Sequence, residues 1–227
     1  AGNNAAVVAN NGDITDTNGA TVDVSAQNIV LVATGNIGQP GGAGNSLEIT
    51  GQELAAQSGV SSYISDVNGN LVTSNLTAAS FGNVVNGVNA GADTCVETVG
   101  TLTVNANVTA VNNAAIQGAS VVFGVGNVSA GNNAAVVANN GSITDINGVT
   151  TDVSAANIVL VATGNIGAPG VGNGLEIAGD NLAAQTGGSS YISDVTGNLT
   201  IANLTAASFG NVVNGVNAGV DTCVETV

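Results

Sequence analysis

The sequence predicts an all-β fold, a parallel β-helix (β-solenoid), on three observations: a long internal duplication, short runs of alternating apolar residues, and Asn-Gly turn signals between them. Residues 1–99 recur as 130–227. Residues 1–12 and 130–141 are identical, and 75–99 matches 203–227 except that Ala92 becomes Val220. The chain thus reads as copies 1–129 and 130–227 of one unit, the second incomplete. No linker-like break separates them, so one continuous solenoid over residues 1–227 is expected, each layer packing mainly on its neighbours.

The elements follow in order. Thr21-Val22-Asp23-Val24, Leu47-Glu48-Ile49-Thr50, Thr101-Leu102-Thr103-Val104 and Val108-Thr109-Ala110-Val111 place apolar residues at period two, the mark of strands. Asn11-Gly12, Asn18-Gly19, Asn68-Gly69 and Asn86-Gly87 supply sharp turns, as do Asn140-Gly141, Asn147-Gly148 and Asn214-Gly215. The Gly-rich stretch 39–45 is one residue shorter at 168–173 and carries Pro40 and Pro169, so it reads as a surface loop. Residues 100–129 continue the strand pattern and belong to the solenoid. Coils of roughly 20 residues stacked about 4.8 Å apart give roughly six coils per unit. Inward Val, Ile, Leu and Ala would form ladders, and Asn at the turns would share amide hydrogen bonds from coil to coil.

Composition narrows the function. Apolar residues make up 44%, enough for a core, yet there is no Trp or Met and only three Phe and two Tyr. Thirty-three Gly argue against helices, where each costs about 1 kcal/mol relative to Ala. Fifteen carboxylates stand against no Lys, Arg or His, a formal charge of -15 that repels nucleic acid and anionic membranes. Proteases that cut after Lys or Arg find no site. No apolar run is long enough to span a bilayer, so membrane insertion is not expected. With neither an initiator Met nor a leader pattern at its start, the sequence reads as an excerpt or processed product.

Residues 141–145 (Gly-Ser-Ile-Thr-Asp) and 153–167 (Val-Ser-Ala-Ala-Asn-Ile-Val-Leu-Val-Ala-Thr-Gly-Asn-Ile-Gly) carry a further signal. Leu175-Glu176-Ile177, Asn181-Leu182-Ala183-Ala184, Ser190-Tyr191-Ile192-Ser193 and Gly197-Asn198-Leu199-Thr200 follow, and residues 12–71 hold the same series. This order resembles the repeats of filamentous-haemagglutinin-like large exoproteins, adhesins of the two-partner-secretion type, over roughly two-thirds of each unit. The resemblance implies a right-handed parallel β-helix, exported by a Gram-negative bacterium and displayed on the cell surface or shed as an adhesive fibre.

No catalytic residue is nominated, and no enzyme is expected. Asp13 with Asp16, or Asp93 with Glu97, are the carboxylate pairs a glycosidase would use, but Asp13 is replaced by Ser142 and neither pair brings an aromatic sugar platform. No cofactor or specific metal site is expected. Calcium at surface carboxylates is the lesser alternative, because Asp16, Asp23, Glu48, Asp66, Asp93 and Glu97 recur as Asp145, Asp152, Glu176, Asp194, Asp221 and Glu225. The simpler reading makes these outward groups that keep the rod soluble. Cys95 and Cys223 occupy equivalent points and are too far apart to pair; each is either a buried thiol or half of an interchain disulfide. Asn75, Asn107, Asn127, Asn198 and Asn203 begin glycosylation acceptor patterns.

The leading expectation is a secreted structural protein: a protease-resistant solenoid segment of an extracellular fibre or surface adhesin. Its partners would be other copies of itself, end to end or side by side, and host or matrix glycans or proteins. The alternatives are a carbohydrate-active β-helix enzyme and an ice- or matrix-binding solenoid, which needs flat Thr ladders.

Overall fold

The computed structural model describes residues 1–42, 44–78, 80–206 and 208–226. Among them are 28 strands and no helix. Two sheets of 14 and 10 strands run through the chain, and every strand pair in them is parallel. The architecture is all-β and compatible with a β-solenoid. The two antiparallel pairs are local hairpins, Asn75–Ala78 with Asn83–Asn86 and Asn203–Thr205 with Val212–Asn214.

Six-residue strands are the most regular elements. Asp93–Thr98, Asn113–Gly118, Asn133–Ala138, Asn157–Ala162 and Asn181–Thr186 lie side by side, with Asp93, Asn113, Asn133, Asn157 and Asn181 in register. The side-chain amides join these rungs. Asn113 Nδ2 donates to Asp93 Oδ1 at 2.7 Å, Asn133 to Asn113 at 2.6 Å, Asn157 to Asn133 at 3.0 Å and Asn181 to Asn157 at 2.9 Å. The expected coil-to-coil Asn ladder is therefore present, located at the first residue of each strand.

These strands read Asn-Ile-Val-Leu-Val-Ala rather than as strict alternation because both of their faces are covered. Ile158, Leu160 and Ala162 enter the main core, which runs from Ile14 to Ile192 and includes the fully buried Phe123. Val159 faces the other way, beneath the second hairpin. That hairpin lays Ala206 and Val213 over Ala115, Ala135, Val159, Ala183 and Cys95. The first hairpin lays Ala78 and Val85 over Val30 and Ala55 in the same manner.

Rung length varies, with consequences for the repeat. Val88, Val108 and Val128 are 20 residues apart in register, Asn4 and Asn28 are 24 apart, and a hairpin stretches the step from Ala56 to Val88 to 32. From Leu31, five parallel steps lead through Ala56, Val88, Val108 and Val128 to Val153, seven residues short of Leu160, its equivalent in the second copy. Equivalent strands consequently lie in different sheets: Asn28–Ala33 in the larger, Asn157–Ala162 in the smaller.

Glycines serve the corners where rungs touch backbone to backbone. A Cβ on Gly91 would collide with the carbonyl oxygen of Gly59, and one on Gly59 with that of Thr34. Of the expected Asn-Gly turns, all but Asn140-Gly141 place Gly at positive φ. The run 21–24 contributes only Val24 to a strand, since Asp23 is drawn into a side-chain cluster.

Candidate functional site

Two equivalent carboxylate clusters stand out. Asp145, Asp152 and Glu176 each offer an oxygen within 4.8 Å of the others, and Asp16, Asp23 and Glu48 repeat the arrangement. The tight loop after Asp145 brings the first two together. The Asn147 backbone N–H donates to Asp145 Oδ1 at 2.6 Å, Gly148 turns with φ of 78°, and Asn147 Nδ2 donates to Asp152 Oδ1 at 2.8 Å. Rung stacking supplies the third. Val153 is in register with Ile177, so Asp152 lies beside Glu176, whose backbone N–H donates to Asp152 Oδ2 at 3.1 Å. In the first copy Asn18 bridges Asp16 and Asp23, the Glu48 N–H donates to Asp23 Oδ2 at 3.1 Å, and the Gly44 N–H donates to Glu48 Oε1 at 2.7 Å.

Glu48, Asp152 and Glu176 are buried, Asp16, Asp23 and Asp145 half-buried, and the clusters hold unmet bonding capacity. Glu48 and Asp152 are 0% exposed and Glu176 4%. Glu48 Oε2, Glu176 Oε2, Asp145 Oδ2 and Asn147 Oδ1 are enclosed without a hydrogen-bond partner. Burial, reinforced by the Asp145 charge, pushes the Asp152 carboxyl up to about 8 against the hydrogen bonds from Glu176 N–H and Asn147. Burial and the charges of Asp145 and Glu225 push Glu176 up to about 7. Burial also raises Asp145, opposed by the N–H groups of Asn147 and Gly148.

The expectation of outward, solvated carboxylates is therefore corrected at several positions. Besides Glu48, Asp152 and Glu176, the carboxylates of Asp66 and Asp194 are buried, both residues being 0% exposed. Asp66 accepts from the Thr98 hydroxyl at 2.8 Å and from the Gly51 N–H at 3.2 Å, and desolvation still raises its pKa. Asp194 holds the Thr196 hydroxyl at 2.8 Å and the Gly197 N–H at 3.0 Å. Both are structural acceptors that pin loops.

The two carboxylate pairs named from the sequence fall in different settings. Asp13 is exposed and accepts from the Asn36 N–H at 2.6 Å, while Asp16 belongs to the cluster with Asp23 and Glu48. Asp93 and Glu97 do line one cleft of about 330 Å³ with Tyr63 and Cys95. They sit four residues apart on one strand, about 13 Å along the backbone, with Asp93 tied to Asn113 in the ladder and Glu97 accepting from the Cys95 thiol.

Both cysteines are free, on strands of different sheets. Cys95 is 5% exposed, in register between Tyr63 and Ala115. Its thiol donates to Glu97 Oε1 at 3.7 Å, and burial with that neighbouring charge raises its pKa far above the ordinary thiol value. Such a thiol is a poor nucleophile. Cys223 is exposed. Of the acceptor asparagines, Asn75, Asn107, Asn198 and Asn203 are exposed, whereas Asn127 is half-buried with an enclosed, unpaired Oδ1. Thr103 is flanked in register by Val72 and Val122, so no Thr ladder forms there.

Sequence reasoning named all six cluster carboxylates as recurring positions without uniting them. The loop signal Asp-x-Asn-Gly-x-x-x-Asp (16–23 and 145–152) is local, but Glu48 and Glu176 join only through rung register. Comparison with known proteins finds no matching family profile, no curated relative and no similar solved structure.

Proposed function

We propose that the chain is a load-bearing segment of an extracellular β-solenoid fibre or surface adhesin, wound as one right-handed parallel β-helix of the filamentous-haemagglutinin-like kind. The carrying observation is the continuous main core from Ile14 to Ile192, flanked by parallel sheets, with the rungs of the smaller sheet joined by the Asn ladder. In this reading the unit winds through five rungs and part of a sixth, and the two hairpins brace the outside. Length, stiffness and resistance to trypsin-like proteases are its contributions, and the array continues by stacking of copies. Electron microscopy of the native material tests this: uniform filaments with an axial repeat set by the unit support it, and dispersed compact particles refute it.

A carbohydrate-active enzyme is the weaker reading. The cleft at Tyr63 has an aromatic wall, but Asp93 is engaged by Asn113 and Glu97 by the Cys95 thiol.

A further inference from the structure

We propose that each carboxylate cluster is a calcium site, so that the chain binds two calcium ions, one through Asp16, Asp23 and Glu48 and one through Asp145, Asp152 and Glu176. This goes beyond the fibre reading and does not rest on it.

Geometry comes first. Three oxygens mutually within 4.8 Å share a centre no more than about 2.8 Å from each, close to the calcium–oxygen distance of about 2.3 to 2.6 Å, so small side-chain movements complete the contact. The donor set is all oxygen, which selects hard cations over zinc or copper. Asn147 Oδ1 adds a fourth enclosed oxygen beside the second cluster.

The independent pointer is the buried, unpartnered oxygen at the head of each cluster. Glu48 is fully enclosed, Glu176 nearly so, and Oε2 of each has no donor. A buried carboxylate oxygen without a partner costs several kcal/mol, and ordinary proteins answer that cost with Lys, Arg or His. This chain has none of the three, so the clusters are left to proton uptake or to a bound cation, and only the cation also gives the unpartnered oxygens a ligand. The hydrogen bonds already present orient the ligands. Asn18 and Asn147 fix the first two carboxylates, and the Glu48 and Glu176 backbone N–H groups hold Asp23 and Asp152. For the second site an open cleft of about 470 Å³, lined by Glu176, Tyr191 and Glu225, gives an entry path and room for coordinating water. Calcium fits better than magnesium, because three carboxylates in an irregular pocket suit a large, geometrically tolerant ion, whereas magnesium demands an octahedron and keeps its waters.

The test is calorimetric titration of the intact, chelator-stripped chain with calcium chloride at constant ionic strength. The wild type should take up two ions, E48Q and E176Q one each, and the double variant none. Magnesium chloride should bind at least tenfold more weakly. A second readout guards against misfolding: calcium should raise the wild-type melting temperature, while the double variant melts in chelator at or above the wild type and ignores calcium. Should a glutamine variant fail to fold, the less buried Asp16→Asn and Asp145→Asn should each weaken one site at least tenfold. The absence of saturable uptake at millimolar calcium, unchanged stoichiometry in the double variant, or equal affinity for magnesium would each overturn the assignment.

Discussion

Asn133 Nδ2 donates to Asn113 Oδ1 at 2.6 Å across one rung, while Asn133 Oδ1 accepts from Asn157 Nδ2 at 3.0 Å across the next. Asn113, Asn133 and Asn157 each donate and accept, and Asn181 ends the row as a donor, so the row is polarised in one direction and fixes the register of the strands it heads.

Breaking the row in the middle should cost more than trimming its end. Asn133→Ala removes two inter-rung bonds and should lower stability by about 1 to 3 kcal/mol, whereas Asn181→Ala removes one and should cost about half as much. Urea midpoints at fixed calcium check the order of the two variants.

Corner glycines should be intolerant for steric reasons. Gly91→Ala drives a methyl into the Gly59 carbonyl, and a loss of about 2 kcal/mol or more is expected. Gly2→Ala, where a Cβ meets nothing within 4 Å, should leave thermal stability unchanged. Melting curves of the two variants decide this.

The thiols should divide sharply. In the native chain Cys223 should react with a thiol reagent at once, and Cys95 only after unfolding or lifting of the second hairpin. One equivalent in buffer and two in denaturant is the expected count; two fast equivalents in buffer would contradict the burial of Cys95.

Much of this was legible in the sequence. The duplication, the period-two runs and the Asn-Gly turns led to parallel β-structure, and Leu47–Thr50 and Thr101–Val104 formed as read. The hairpins and the exchange of sheets between copies were not legible. Both depend on rung length, which ranges in register from 17 residues between Leu47 and Ile64 to 32 between Ala56 and Val88. The same dependence on rung length kept Glu48 and Glu176, though named, from being joined to their partners, which they reach only across a rung. Composition suggested surface carboxylates because an acidic chain without bases ordinarily keeps its charges in water.

Acidity should stabilise the metal-free chain. The folded carboxyls of Asp152 and Glu176 lie at about 8 and about 7, above their unfolded values, so the folded state holds protons that the unfolded state has lost. In chelator, stability should therefore rise as the pH falls from about 8 through 7 and level off near the ordinary carboxylate range. Asp152→Asn should flatten the upper part of that slope. Denaturant midpoints at stepped pH check the sign; stability that climbs from pH 6 to 8 in chelator would contradict the burial of these groups.

The stacking of rungs in parallel register is the central claim, and a disulfide scan tests it most directly. Cys95 is in register with Ala115, both outside the main core, while Ala114 points into that core. In a Cys223→Ser background, Ala115→Cys should form an intramolecular disulfide with Cys95 under mild oxidation, and Ala114→Cys should not. A bond from the Ala114 variant, or none from the Ala115 variant in a folded chain, would contradict the register on which the fold rests.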